Sequence, residues 1–253
     1  MAESLIIARI HGREAVQARG VVVVIDVLRA FTVAAYALAG GARELMLVRT
    51  PEEALTLRDT RFPDAMLAGE VDGRLIPGFD LNNSPAVMQS ADVRGRLVIQ
   101  RTGAGTQGAV NARHASRLLV ASLVNARATA TYAARLAQAT GAEQITLVPT
   151  ASPFEDAGRK TIEDDACADY LEALLSGRSD SDALLARSIE RISADECSGI
   201  FFQGLEDFPA GDVAAALAAN RFNFAMEGER HTLDEIDYIA VRRVDGAASL
   251  PDA

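Results

Sequence analysis

Apolar positions along this chain alternate between two periodicities. Short runs that are apolar on both faces recur at Leu5 to Ile10, Val21 to Asp26, Glu44 to Val48, Met66 to Ala68, Leu97 to Gln100, Leu118 to Ala121 and Gln144 to Val148. Their length and β-branched content predict strands inside a covered sheet. Between them, helical spacing appears at Ala30 to Leu38, Pro51 to Asp59, Thr106 to His114 and Ala126 to Gln138. Thr50 before Pro51, Glu52 and Glu53 reads as a capped helix start, with proline and acids in the first turn. After Pro149 the pattern becomes a polar loop, then three helical stretches, Ile162 to Leu175, Asp180 to Ile192 and Gly211 to Ala219. A late apolar run, Asp237 to Val241, returns to the sheet. Strand and helix alternate, which predicts an α/β fold: a three-layer α/β/α sandwich with a mixed, largely parallel sheet. The turn Ser176 to Asp182 is too short to separate domains, so residues 1–253 are expected to form a single domain, or two packed α/β halves.

Composition narrows the function classes. The net charge of −10 argues against broad attraction to nucleic acid or to an anionic membrane. A small anionic substrate would need local arginines or a cation. Cys167 and Cys197 show no CxxC spacing, and His11, His114 and His231 are dispersed, so neither a zinc motif nor a disulfide framework is expected. The N-terminus lacks the features of a signal peptide and no run reaches membrane-spanning length. A reducing, cytoplasmic setting fits.

Four segments carry candidate chemistry. The first strand-to-helix junction, Val24 to Ala30, places Asp26 at a strand's C-terminal edge with Arg29 three residues on. Ligands of open α/β sheets bind outside such edges, although helix capping explains an acid there equally well. A glycine-rich stretch, Gly69 to Pro85, carries Glu70, Asp80, Asn82, Asn83 and Ser84, which suit a hard cation or ordinary turns. A strand then runs into Arg101-Thr102-Gly103-Ala104-Gly105-Thr106, a cradle for phosphate or sulfonate or simply a tight strand-helix junction. It lacks the lysine of a Walker A loop. Finally Glu163, Asp164 and Asp165 open a helix, where the macrodipole alone favours acids.

Taken together and in this order, the segments resemble the 2-phosphosulfolactate phosphatase family over roughly residues 20 to 170. Val24 to Ala30 match its VIDVLRA motif. Gly69, Glu70 and Gly73, then Gly78 to Leu81 and Asn83 to Pro85, match GERNG and GFDLGNSP. Thr102 to Thr106 stand where TTNGT is usual, Ser122 to Ala126 resemble SFLNA, and Glu163, Asp164, Cys167 and Ala168 resemble EDxxCAG. The chain departs from the family at Val71, at Gly103 to Gly105 and at Thr150 to Asp156. Arg101 or Arg159 would supply a displaced positive charge.

The resemblance implies a magnesium-dependent phosphatase acting on a small anionic phosphoester. It implies Asp26, Arg29 and Glu70 as catalytic residues, and Asp26, Glu70, Asp80, Glu163 and Asp164 as Mg2+ ligands. Substrate contacts would come from Arg101, Thr102, Gly103, Gly105, Thr106, Asn83, Ser84 and Asn125. Leu28 stands where a DxD phosphatase would carry its second aspartate. The alternatives at this point are a catalytically silent binder of an anionic metabolite and a metal-dependent lyase or enolising enzyme. A homodimer is the default assembly.

Overall fold

The computed structural model describes residues 5–150, 161–194 and 199–246. Ten strands form one sheet: β1 (Ile6–Arg9), β2 (Val21–Ile25), β3 (Glu44–Leu47), β4 (Met66–Val71), β5 (Arg74–Leu75), β6 (Leu97–Arg101), β7 (Arg117–Ala121), β8 (Gln144–Pro149), β9 (Phe224–Leu233) and β10 (Ile236–Asp245). The principal helices are α1 (Ala30–Ala39), α2 (Pro51–Thr60), α3 (Pro85–Met88), α4 (Gly105–Asn111), α5 (Ala126–Thr140), α6 (Ile162–Leu175), α7 (Ser181–Ser193) and α8 (Gly211–Ala216). The strand order is β1-β8-β2-β7-β9-β10-β3-β6-β4-β5.

Two parallel groups, β1-β8-β2-β7 and β3-β6-β4, flank the antiparallel ribbon β9–β10. The ribbon pairs antiparallel with β7 on one side and with β3 on the other, so the two groups run in opposite senses. Sheet twist of roughly 20–25° per strand accumulates to about 100–125° over the five steps from β2 to β6. This rotation lets opposed strand ends approach each other across the inner face.

Helix α1 occupies that inner face. Ala30 through Leu38 are all buried, and they share one core with Val22, Val24 and Val120 from one group and Leu45, Leu47 and Val98 from the other. The odd residues Val21, Val23 and Ile25 face a second core with Ala133 and Leu136 of α5 and Tyr170 and Leu171 of α6. A strand buried on both faces is why the valine run shows no polar alternation. On the far group, Met46, Leu67 and Ile99 pack on Ala54 and Leu57 of α2. Thr50 caps α2 through a full capping box with Glu53.

The sheet is mixed and largely parallel, with helices on both faces, as the alternation predicts. Four details differ. β9 had no predicted counterpart, and β10 extends beyond Asp237 to Val241 at both ends. β4 continues to Val71 and turns into β5 through Asp72 and Gly73, both at positive φ (54° and 77°), the signature of a type I′ hairpin. α4 ends at Asn111 rather than His114 because Ala112 leaves the helical region.

Candidate active site

Asp26 follows β2 directly and is 5% exposed. Its Oδ1 accepts the Ala30 amide at 2.7 Å, so the carboxylate does cap α1. It also lies within reach of the Gly105 amide and the Thr150 hydroxyl. Gly105 has no alternative here, since a Cβ would stand 2.6 Å from both Ala30 Cβ and Asp26 Oδ2. Burial, reinforced by the neighbouring Glu70 carboxylate, pushes the Asp26 carboxyl up to about 6, against the bonds from Ala30, Gly105 and Thr150.

Asp164, in the first turn of α6, reaches the same place from the opposite side. Its Oδ1 accepts the Val27 amide at 2.7 Å and its Oδ2 accepts the Thr150 hydroxyl at 3.0 Å. Burial, then Asp26, then the adjacent Glu163 raise the Asp164 carboxyl well above the usual range. Both carboxylates thus address Thr150, whose hydroxyl carries one proton and satisfies one of them at a time. Among the described residues, no arginine or lysine pairs with either. The arrangement calls for a proton or a cation.

Glu70, at the C-terminal end of β4 and 8% exposed, joins from the far strand group. Its Oε2 accepts the Gly73 amide at 2.7 Å and its Oε1 accepts the Gly103 amide at 2.6 Å. One carboxylate therefore ties the β4–β5 turn to the glycine-rich turn after β6. Arg101 donates to the Glu70 carbonyl at 2.7 Å. Gln100, fully buried, donates to the Ala30 carbonyl at 2.9 Å while its Oε1 has no partner.

The remaining predicted site residues sit in other surroundings. Arg29 is 4% exposed and turns away from Asp26: Nη1 donates to the Asp207 carbonyl at 2.7 Å and to Asp212 at 3.0 Å, and Nη2 donates to the Gly73 carbonyl at 3.0 Å. Phe201 and Phe208 cover its guanidinium, with centroids 5.5 and 5.0 Å away. This placement gives no support to Arg29 as a substrate contact. Asp80 is half-exposed, accepts the Leu67 amide at 2.7 Å and lies 3.8 Å from Arg58. Leu67 precedes Glu70 by three strand residues, roughly 10 Å, which separates Asp80 from the other acids. Ser84 caps α3 and donates to Asp212 at 2.5 Å. Asn125 closes a turn with Ser122, and Thr102 and Thr106 bond reciprocally across the first turn of α4. Asn83 is buried beside Gln100 at 3.4 Å. Arg159 and the departures at 151–156 lie outside the described residues.

Thr150 was expected only as part of the departing stretch 150–156, near the substrate and not beside Asp26, and Asp212 was not predicted. The signal for Thr150 was its position directly after β8, at the strand edge beside Asp26. Asp212 gave none.

Among the described residues no three His, Cys, Asp or Glu side chains group closely enough to hold a metal ion unaided. Magnesium needs only one or two carboxylates, completed by water and substrate oxygens, so an oxygen-only pair lacking a basic partner fits it. No described helix is long and apolar enough to cross a membrane.

Buried carboxylates converge at the strand ends of an α/β sheet, the place where sheets of this class bind their ligands. A family model described as 2-phosphosulpholactate phosphatase matches residues 7–203. A Bacillus subtilis (strain 168) protein, "Probable 2-phosphosulfolactate phosphatase", is 35% identical over 219 residues, covering 85% of this chain and 91% of the relative. Proteins with the same description from Deinococcus radiodurans and Thermus thermophilus are 42% and 38% identical over 180 residues, in each case 69% of this chain and 71% of the relative. The chain belongs to the 2-phosphosulfolactate phosphatase family, a family of phosphoric monoester hydrolases.

Proposed function

We propose that this chain is a cytoplasmic, magnesium-dependent phosphatase that hydrolyses a small anionic phosphoester such as 2-phosphosulfolactate to the 2-hydroxy acid and phosphate. The supporting observation is the Asp26–Thr150–Asp164 arrangement, two buried carboxylates around one hydroxyl with no basic partner among the described residues. Asp26 and Asp164, with Glu163 beside them, would hold the cation. When bound, Mg2+ supplies charge neutralisation for the phosphoryl oxygens.

The chain's own groups account for orientation and proton movement. The overall reaction adds water to phosphorus, breaks the ester P–O bond and returns a proton to the leaving alkoxide. Glu70, held by two amides, is a fixed acceptor for the water proton. Its two hydrogen bonds keep it from swinging towards Asp26. Phosphoryl transfer depends mainly on positioning and charge, so no strong nucleophile is needed. The Gly103–Gly105 turn and Arg101, held to Glu70 through the Gly103 amide and the Glu70 carbonyl, would border the substrate.

The test is inorganic phosphate release from a panel of phosphoesters, with magnesium and with a chelator. We expect release from 2-phosphosulfolactate that is lost on chelation. A panel without turnover, in which a ligand still raises the melting temperature, would overturn the phosphatase reading, as would carbon–carbon cleavage products.

A further inference from the structure

We propose that Asp212 is a positioning residue for Glu70, acting through Arg29; the catalytic part of this inference rests on the phosphatase reading. Asp212 is fully buried, at the start of α8, nearly two hundred residues along the chain from the first acid of the site. Its Oδ2 pairs with Arg29 Nη1 at 3.0 Å. Its Oδ1 accepts the Ser84 hydroxyl at 2.5 Å and the Ala86 amide at 3.1 Å, so the carboxylate cannot rotate without losing three partners.

Arg29 passes this constraint on. While Nη1 is held by Asp212 and the Asp207 carbonyl, Nη2 donates to the Gly73 carbonyl at 3.0 Å. The planar guanidinium fixes the angle between those directions, as an ammonium would not. Two rings, Phe201 and Phe208, hold the plane itself. Gly73 is pressed from the other side, since a Cβ there would stand 2.2 Å from the Phe208 ring. The Gly73 amide then donates to Glu70 Oε2, and Glu70 Oε1 receives the Gly103 amide. The path therefore runs from Asp212 to Arg29, to the Gly73 carbonyl, to the Gly73 amide and finally to Glu70. Gly103 is its far reporter: its N–H donates a hydrogen bond to Glu70 Oε1, one step beyond the end of that path.

A buried ion pair that only held the fold together would leave that reporter unchanged in a folded variant. We expect Asp212→Asn to lower kcat 10- to 100-fold with KM within about threefold, because a displaced Glu70 disturbs the reacting geometry more than substrate capture. In amide hydrogen exchange, Gly73 and Gly103 should lose protection together. A double variant with Glu70→Asp should be no slower than Glu70→Asp alone. Multiplying rate losses, or a Gly103 amide as protected as in the parent protein, would overturn the proposal. If Asp212→Asn does not fold, Arg29→Lys keeps the charge and removes the fork, and the same readouts apply. Exchange at Gly103 is independent of turnover, so an inactive parent protein would refute the phosphatase reading without deciding this one.

Discussion

At the scale of single residues, the site is governed by the cost of keeping charge out of water. Asp164→Asn is informative because the amide can keep both bonds: its oxygen accepts the Val27 amide and its nitrogen donates to Thr150, whose own proton turns to Asp26. Removing one of two buried like charges should stabilise the metal-free protein by about 1–2 kcal/mol while phosphatase activity is lost. A melting temperature below that of the parent at pH 8 in chelator would contradict this. Asp26 makes a linked pH prediction. Its carboxyl holds a proton up to about pH 6 in the folded protein, whereas in the unfolded chain it ionises near its ordinary value of 3.8. Between those values the folded state binds more protons, so this group's contribution to stability falls as pH rises from about 4 to 6 and is level above. Chelated parent protein should show that decline, and Asp26→Asn should flatten it. Of this site, Asp26, Glu70, Gly103, Gly105 and Asp164 were legible, because strand ends and glycine turns leave local signatures. Thr150 and Asp212 were not, because a lone threonine or aspartate looks the same in sequence whether it meets a charge or water.

At the scale of elements, the close contact of α4 with α1 sets the site's tolerance. Gly105→Ala places a methyl 2.6 Å from Ala30 Cβ and from Asp26 Oδ2, closer than real Cβ contacts come, so something must shift. The expected loss is about 1–3 kcal/mol with activity falling in step, read by urea unfolding and phosphate release. Thr50→Ala offers the contrast. It removes the hydroxyl that accepts the Glu53 amide on an outer helix, and should cost about 1 kcal/mol with kcat unchanged. Most strands were legible because burial on both faces produces continuous apolar runs. β9 was not: beyond Met226 it reads Glu227-Gly228-Glu229-Arg230-His231-Thr232, a ribbon whose ladder pairing, rather than apolar side chains, holds it. Of its two partners, β10 follows at once but β7 lies far earlier in the sequence, and no local window contains that pairing.

At the scale of the whole molecule, charge is unevenly balanced: a net −10 overall, with four acids, Asp26, Glu70, Glu163 and Asp164, buried at or beside the site. A cation that binds only the folded state should raise stability by about 2.7 kcal/mol at a hundredfold excess over its Kd. Thermal melts across a magnesium series should rise in the parent and stay flat in Asp26→Asn; equal shifts in both would place the cation elsewhere.

The ribbon β9–β10 joins both parallel groups, yet it is made from residues 224–245, after all eight other strands in sequence. During synthesis the two groups must therefore wait, each with an open, hydrogen-bond-hungry edge at β7 and at β3, until residues 224–245 emerge to fill the gap. Such late, long-range closure makes folding slow and leaves the nascent chain exposed to edge-to-edge association. Truncation before Phe224 would then remove not an appendage but the strands that make two half-sheets one, leaving Asp26 and Glu70 on pieces with no reason to meet.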